Sequence, residues 1–232
     1  MLIHAVEEGR ELAPDQESEV DSLLQTWLEE TIGRKVNLQG NRLCPSTDAT
    51  TVRVRAAETL VTDGPFAETK EQVAGYDILE CQTLGEAVKW ASKHPVPRLG
   101  TTEVRPLMGD PIGPLPQQKP GTTRYLMLVC VGDLPAGAVV APVEPWVDEM
   151  YGRGTAVVGQ RLEMPSTART VQVRDGRTLF TDGPFAETKE MIAGFDVLDC
   201  ADLDEAIDVA AKHPIAPVGS IELRPFWPFG RA

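Results

Sequence analysis

The segment TDGPFAETKE stands at Thr62–Glu71 and recurs unchanged at Thr181–Glu190. Carboxylates and a lysine in one tight loop are raw material for proton transfer. A carboxylate desolvated in a cleft can act as a general base, and an ammonium beside it can hold an oxyanion. The candidate bases are Asp63 and Asp182, or Glu68 and Glu187, with Lys70 and Lys189 as electrostatic support. Backbone geometry by itself accounts for part of the motif. The aspartate closes an Asx turn, Gly64 takes positive φ, Pro65 stiffens the chain and Phe66 plugs the core. A turn does not require Glu68, Lys70 and Glu71, yet all of them recur in the second copy. Two readings stay open: a shared polar site, and an ion-pair network at a domain interface.

Other residues with chemical capacity are scattered more thinly. His94 and His213 occupy matching places in Lys-His-Pro, where a cation at a helix C-terminus followed by proline is the ordinary use and substrate binding is the alternative. Arg105 and Arg224, in E-x-R-P, can bind an anionic substrate or pair with the neighbouring glutamate. His4 lies in an apolar run and reads as a core group with Cys130 opposite it in the second copy. The cysteines at 44, 81, 130 and 200 form no CxxC pair, so they read as buried thiols of a reducing compartment. No metal site and no cofactor are expected from this set.

These residues must be positioned by elements that the chain builds twice. At a constant offset of 119, residues 42–106 match residues 161–225 at 35 of 65 positions. The first copy spans 1–106 and the second 124–227, with a Pro/Gly-rich linker at 107–123 that cannot pack as a regular element. Within a copy, a strand at Leu2–Val6 precedes a helix at Pro14–Thr31 and a strand at Val36–Leu43. Thr51–Arg55 and Thr59–Thr62 read as a hairpin. Ala74–Cys81 reads as a strand, Leu84–Lys93 as a helix opened by the capping pair Thr83 and Glu86, and Thr102–Pro106 as the last strand. The order β-α-β, hairpin, β-α-β predicts an α+β domain of ferredoxin-like type, with helices on one sheet face. The second copy is expected to cover the other face, sheet against sheet.

The net charge of −13 repels phosphate backbones and anionic lipids, so neither nucleic acid nor membrane is an expected partner. No apolar stretch approaches the ~20 residues of a membrane span, and the start lacks a basic signal-peptide head. The expected location is the cytoplasm.

The TVRVR hairpin, the TDGPFAETKE loop and the closing EVRP and ELRP strands together resemble the YCII-related family, in its DGPF branch. The resemblance implies a bacterial protein of ferredoxin-like fold that associates through its sheets as a dimeric α+β barrel. Here two ferredoxin-like domains would form that pair within one chain, an intramolecular pseudo-dimer that leaves room for further homo-oligomers. Relatives have been assigned a histidine–aspartate pair with the histidine on the first helix. Neither Pro14–Thr31 nor its counterpart Pro142–Tyr151 contains a histidine, so that pair is not carried over. The leading functional expectation is a protein that handles a small metabolite near each DGPF loop by cofactor-independent proton transfer. The alternative is a non-catalytic binding or regulatory module whose charged loop locks the domain interface.

Overall fold

The apolar run at the start pairs on both sides as strand β1 (Leu2–Glu7), and the chain then follows the expected order. In the computed structural model, residues 1–7, 13–134, 139–186 and 188–228 are described. Helix α1 (Pro14–Gly33) leads to β2 (Asn37–Arg42), the hairpin β3 (Thr50–Arg55) and β4 (Glu58–Asp63), β5 (Glu71–Leu79), α2 (Leu84–Lys93) and β6 (Thr101–Val104). The second copy supplies β7 (Thr123–Gly132), α3 (Glu144–Gly152), β8 (Ala156–Arg161), the hairpin β9 (Arg169–Arg174) and β10 (Arg177–Asp182), β11 (Glu190–Cys200), α4 (Leu203–Ala211) and β12 (Ser220–Pro225). No described helix is long and apolar enough to cross a membrane.

Local chemistry sets the helix starts. Thr83 Oγ1 accepts the Glu86 N–H at 3.1 Å, and Glu86 accepts the Gln82 N–H at 2.9 Å. Asp202 and Glu205 repeat the arrangement at 2.9 and 2.7 Å. Each closes two backbone donors that a helix end leaves open. The indole of Trp27 donates to Trp90 O at 3.0 Å, and Trp146 donates to Val209 O at 3.1 Å, tying the two helices of each copy together.

The strands form two open antiparallel sheets, ordered β10-β9-β6-β1-β5-β2 and β4-β3-β12-β7-β11-β8. In each, four neighbouring strands (β6-β1-β5-β2 and β12-β7-β11-β8) with two helices make a ferredoxin-like domain. The remaining hairpin of each sheet comes from the other copy. The compact units accordingly cut across the repeat. Unit 1 comprises Met1–Arg42, Thr69–Leu107 and Glu163–Glu187; unit 2 comprises Leu43–Glu68, Met108–Leu162 and Thr188–Ala232. The core of unit 1 gathers Leu2, Trp27, Ala91 and Val104 around Val171 of the β9 hairpin. That of unit 2 includes Val52 of the β3 hairpin beside Met127, Trp146, Val209 and Ile221. Both valines are fully buried, each worth about 1.5–3 kcal/mol over leaving it exposed.

Strand register corrects one correspondence. His4 pairs with Gly75 and Thr102, whereas Val129 pairs with Gly194 and Ile221, their repeat equivalents. The counterpart of His4 is therefore Val129; Cys130 corresponds to Ala5. A shift of one residue exchanges the faces of a strand, and Cys130 points away from the helices.

Candidate functional site

A cluster of buried titratable groups in unit 1 lies between sheet and helices. Alternation along β1 turns Leu2 and His4 toward the helices, and Thr102 faces the same way from β6. Asp77 comes from the middle of β5, and His94 caps the C-terminus of α2. His4 Nε2 lies 2.7 Å from Asp77 Oδ2, and His4 Nδ1 lies 3.0 Å from Thr102 Oγ1. A carboxylate accepts only, so Nε2 carries the proton and Thr102 holds the other nitrogen. Asn37 Nδ2 donates to Asp77 Oδ1 at 2.9 Å. The His94 ring stacks on His4 with centroids 4.1 Å apart, and Trp27 meets His94 edge-on at 4.7 Å. All three titratable side chains are buried.

Gly40 makes room for the aspartate. A Cβ there would stand 2.0 Å from Asp77 Oδ1, so no other residue fits without displacing the carboxyl. Burial, and then the charge of His4, hold His94 well below the ordinary histidine range. Its Nδ1 accepts the Val96 N–H at 3.2 Å, which leaves the proton of the neutral ring on Nε2, 3.9 Å from Asp77 Oδ2. Two histidines and a carboxylate within 4.8 Å have the composition of a divalent-metal site. A metal on His94 Nε2 would need that proton gone while Nδ1 stays engaged by Val96, which is imidazolate chemistry. The arrangement suits a proton better than a cation.

Unit 2 keeps the aspartate but not its partners. Val129 replaces His4 and Ala156 replaces Asn37. There Asp196 Oδ1 accepts the Tyr151 hydroxyl at 3.1 Å. Burial pushes Asp196 up to about 7, against a smaller opposing effect of that hydrogen bond. His213, packed edge-on against Trp146 at 4.8 Å, is pushed down to about 4 by burial. Burial raises the thiols of Cys81 to about 11 and Cys200 to about 12, which leaves them as protonated packing groups.

The loop residues go elsewhere. Asp63, Glu68 and Lys70 are exposed, as are Asp182 and Lys189; Glu187 lies outside the described residues. Lys70 meets Glu7 at 3.7 Å and Asp182 meets Arg169 at 3.1 Å, both largely in water, where such pairs contribute little. Glu190 is held more firmly, by Arg53 at 3.4 Å and the Ser220 hydroxyl at 2.5 Å. Arg105 and Arg224 are buried on the sheet face away from the helices and pair with Glu103 and Glu222. Each glutamate also accepts a loop N–H: Phe66 to Glu222 at 2.9 Å and Phe185 to Glu103 at 3.1 Å. The structure thus joins His94 to His4, Asp77 and Thr102, and joins the arginines to the loop backbone. Among the described residues, the loop carboxylates form no cluster of three around one point.

Asp77, Thr102 and Asn37 escaped the sequence reading. A signal existed: GYDIL and GFDVL each place an aspartate inside an otherwise apolar strand, at equivalent positions.

The YCII-related domain model matches the chain twice, over residues 11–109 and 135–230. An uncharacterised protein of Rhizobium meliloti (strain 1021) is 48% identical over 77 residues, which cover 32% of this chain and 62% of the relative. The chain thus spans less than two thirds of that relative's length. With the model matching most of both copies on a doubled ferredoxin-like fold, the chain belongs to the YCII-related domain family.

Proposed function

We propose that this protein handles a small metabolite by cofactor-independent proton transfer, and that the acid–base centre is the Asp77–His4–Thr102 relay of unit 1. The observation that carries the reading is the 2.7 Å contact between His4 Nε2 and Asp77 Oδ2, with the second ring nitrogen held at 3.0 Å by a hydroxyl. In such a chain Nδ1 takes a proton by way of the Thr102 hydroxyl and returns it by the same route, while the carboxylate holds the Nε2 proton and fixes the tautomer. Neutral His94 covers one ring face and excludes water, which strengthens the electrostatics of the pair. The acidic surface supports a ligand other than nucleic acid or anionic membrane, and four free cysteines support a cytoplasmic location. The test is a thermal-shift screen of small metabolites on the wild type and on His4→Gln. A hit is expected to lose its shift in the variant while the variant still unfolds cooperatively. A hit retained by His4→Gln assigns the ligand to another site and overturns this reading.

A second reading, a non-catalytic module whose loop locks a hairpin in place, is favoured by the Phe66–Glu222 and Phe185–Glu103 bonds. The two readings concern opposite faces of the sheet and are compatible.

A further inference from the structure

We propose that the edge of the last strand in each sheet, with its buried Glu-x-Arg pair, is a binding site for a DGPF hairpin, and that the site accepts this hairpin from a second copy of the chain. The proposal rests on the reading of the loop as a lock.

In unit 2 the site is built from β12 and the turn before it. Thr50, Thr51 and Val52 pair with Leu223, Glu222 and Ile221, and Val52 enters the core. The Arg55 guanidinium closes on Ala216 O at 2.8 Å and Gly219 O at 3.0 Å. Arg224 reaches back to Cys44 O at 3.2 Å, and Glu222 receives the Phe66 N–H. Unit 1 repeats the plan with β6. Arg169, Thr170 and Val171 pair with Val104, Glu103 and Thr102. Arg174 meets Pro97 O at 3.4 Å, Gln172 meets Thr101 Oγ1 at 2.5 Å, and Glu103 receives the Phe185 N–H. This is strand addition: a backbone ladder supplies affinity, while an inserted valine and a buried carboxylate supply specificity.

None of these partners lies in the linker at 107–123. The linker bonds elsewhere on the second copy, Met108 N–H to Arg161 O at 2.9 Å and Arg124 to Pro116 O at 3.0 Å, and so raises the local concentration of the correct hairpin from outside its receiving edge. TDGPFAETKE is the segment where the chain passes from one unit to the other, with the boundary between Glu68 and Thr69. Every copy of the chain carries both hairpins and both receiving edges, so a mutual exchange between chains closes on itself.

The experiment uses the full chain with a protease site inserted between the exposed residues Gln117 and Gln118. Light and heavy isotopic forms are folded separately, cut, mixed and examined by native mass spectrometry. The two pieces of each chain are expected to stay paired at the full mass without mixing. After joint unfolding in urea and refolding, light and heavy pieces should pair at random, with Val52 methyl protons of one piece in contact with Ile221 of the other. Pieces that separate once cut, that fail to pair again, or that pair without the Val52–Ile221 contact overturn the proposal. The lock itself is read in uncut protein by amide exchange. Phe66 and Phe185 should exchange as slowly as β3 and β9, and exchange as fast as Gly176 in its turn overturns the lock. Protected amides with pieces that do not pair again would overturn binding in trans alone.

Discussion

Phe66 donates its backbone N–H to the same carboxylate of Glu222 that Arg224 holds at 2.5 Å, and both charged side chains are almost wholly buried. The repeat equivalents Phe185, Glu103 and Arg105 reproduce the relationship. A buried glutamate that must satisfy both a guanidinium and a loop amide cannot be exchanged for a neutral residue at little cost. The exposed carboxylates of the loop are under no such constraint.

That contrast gives the first prediction. Glu222→Gln removes the buried carboxylate that holds both Arg224 and the Phe66 amide and should lower stability by roughly 3–5 kcal/mol, as should Glu103→Gln for Arg105 and Phe185. Glu68→Gln, at an exposed site, should stay within about 0.5 kcal/mol of wild type. Urea unfolding of the single variants measures both. Equal midpoints for Glu222→Gln and Glu68→Gln would contradict the assignment.

Asp196 predicts a pH dependence. Its folded value is raised to about 7 from an ordinary 3.8, so between these limits the folded state binds a proton that the unfolded state has lost. Stability from this group is therefore present at low pH and falls as pH rises toward 7. At about 1.4 kcal/mol per unit, the full loss is on the order of 4 kcal/mol. His213 works in the opposite direction. Lowered to about 4, it resists protonation in the fold, so acidification below its ordinary 6.5 costs stability. The two oppose each other in the wild type over mildly acidic pH, and the variants separate them. Asp196→Asn should gain relative to wild type as pH rises through this window, and His213→Gln should gain as pH falls. Unfolding midpoints across pH 4 to 8 check both signs.

A third prediction concerns the register position that separates the two units. Restoring histidine and its hydroxyl partner in unit 2, with Val129→His and Ile221→Thr, should rebuild the pair that His4 makes with Asp77 and Thr102. The new imidazole should pull the Asp196 titration below its present value of about 7. Carboxyl-carbon NMR on aspartate-labelled protein reads the midpoint. An unchanged midpoint in a folded variant would show that residue 129 does not face Asp196.

Elements and repeat were legible in the chain because their causes are local. Helix α2 begins and ends at the residues its capping threonine and its His-Pro stop indicate, and the hairpin follows from the alternation of TVRVR. The duplication and the doubled ferredoxin-like order needed no contact information. The histidine–aspartate centre was not legible. Its members come from β1, β5 and the end of α2, and only strand pairing brings them together. The front halves differ in length, so comparison of the copies aligned His4 with Cys130, and a one-residue slip is enough to reverse which face a side chain serves.

The sequence by itself determined what each segment becomes: strand, helix, hairpin, tether, and a loop whose glycine takes the positive φ observed at Gly64 and Gly183. Tertiary structure decided which sheet each hairpin joins. A hairpin carries the same alternation whether it packs beside β6 or β12, since either last strand offers a free edge and a glutamate. The choice rests on non-local terms: Val52 buried beside Ile221, Val171 beside Thr102, and two buried carboxylates that each receive a loop amide. No local pattern encodes those contacts, because their free energy exists only once both copies have folded around them.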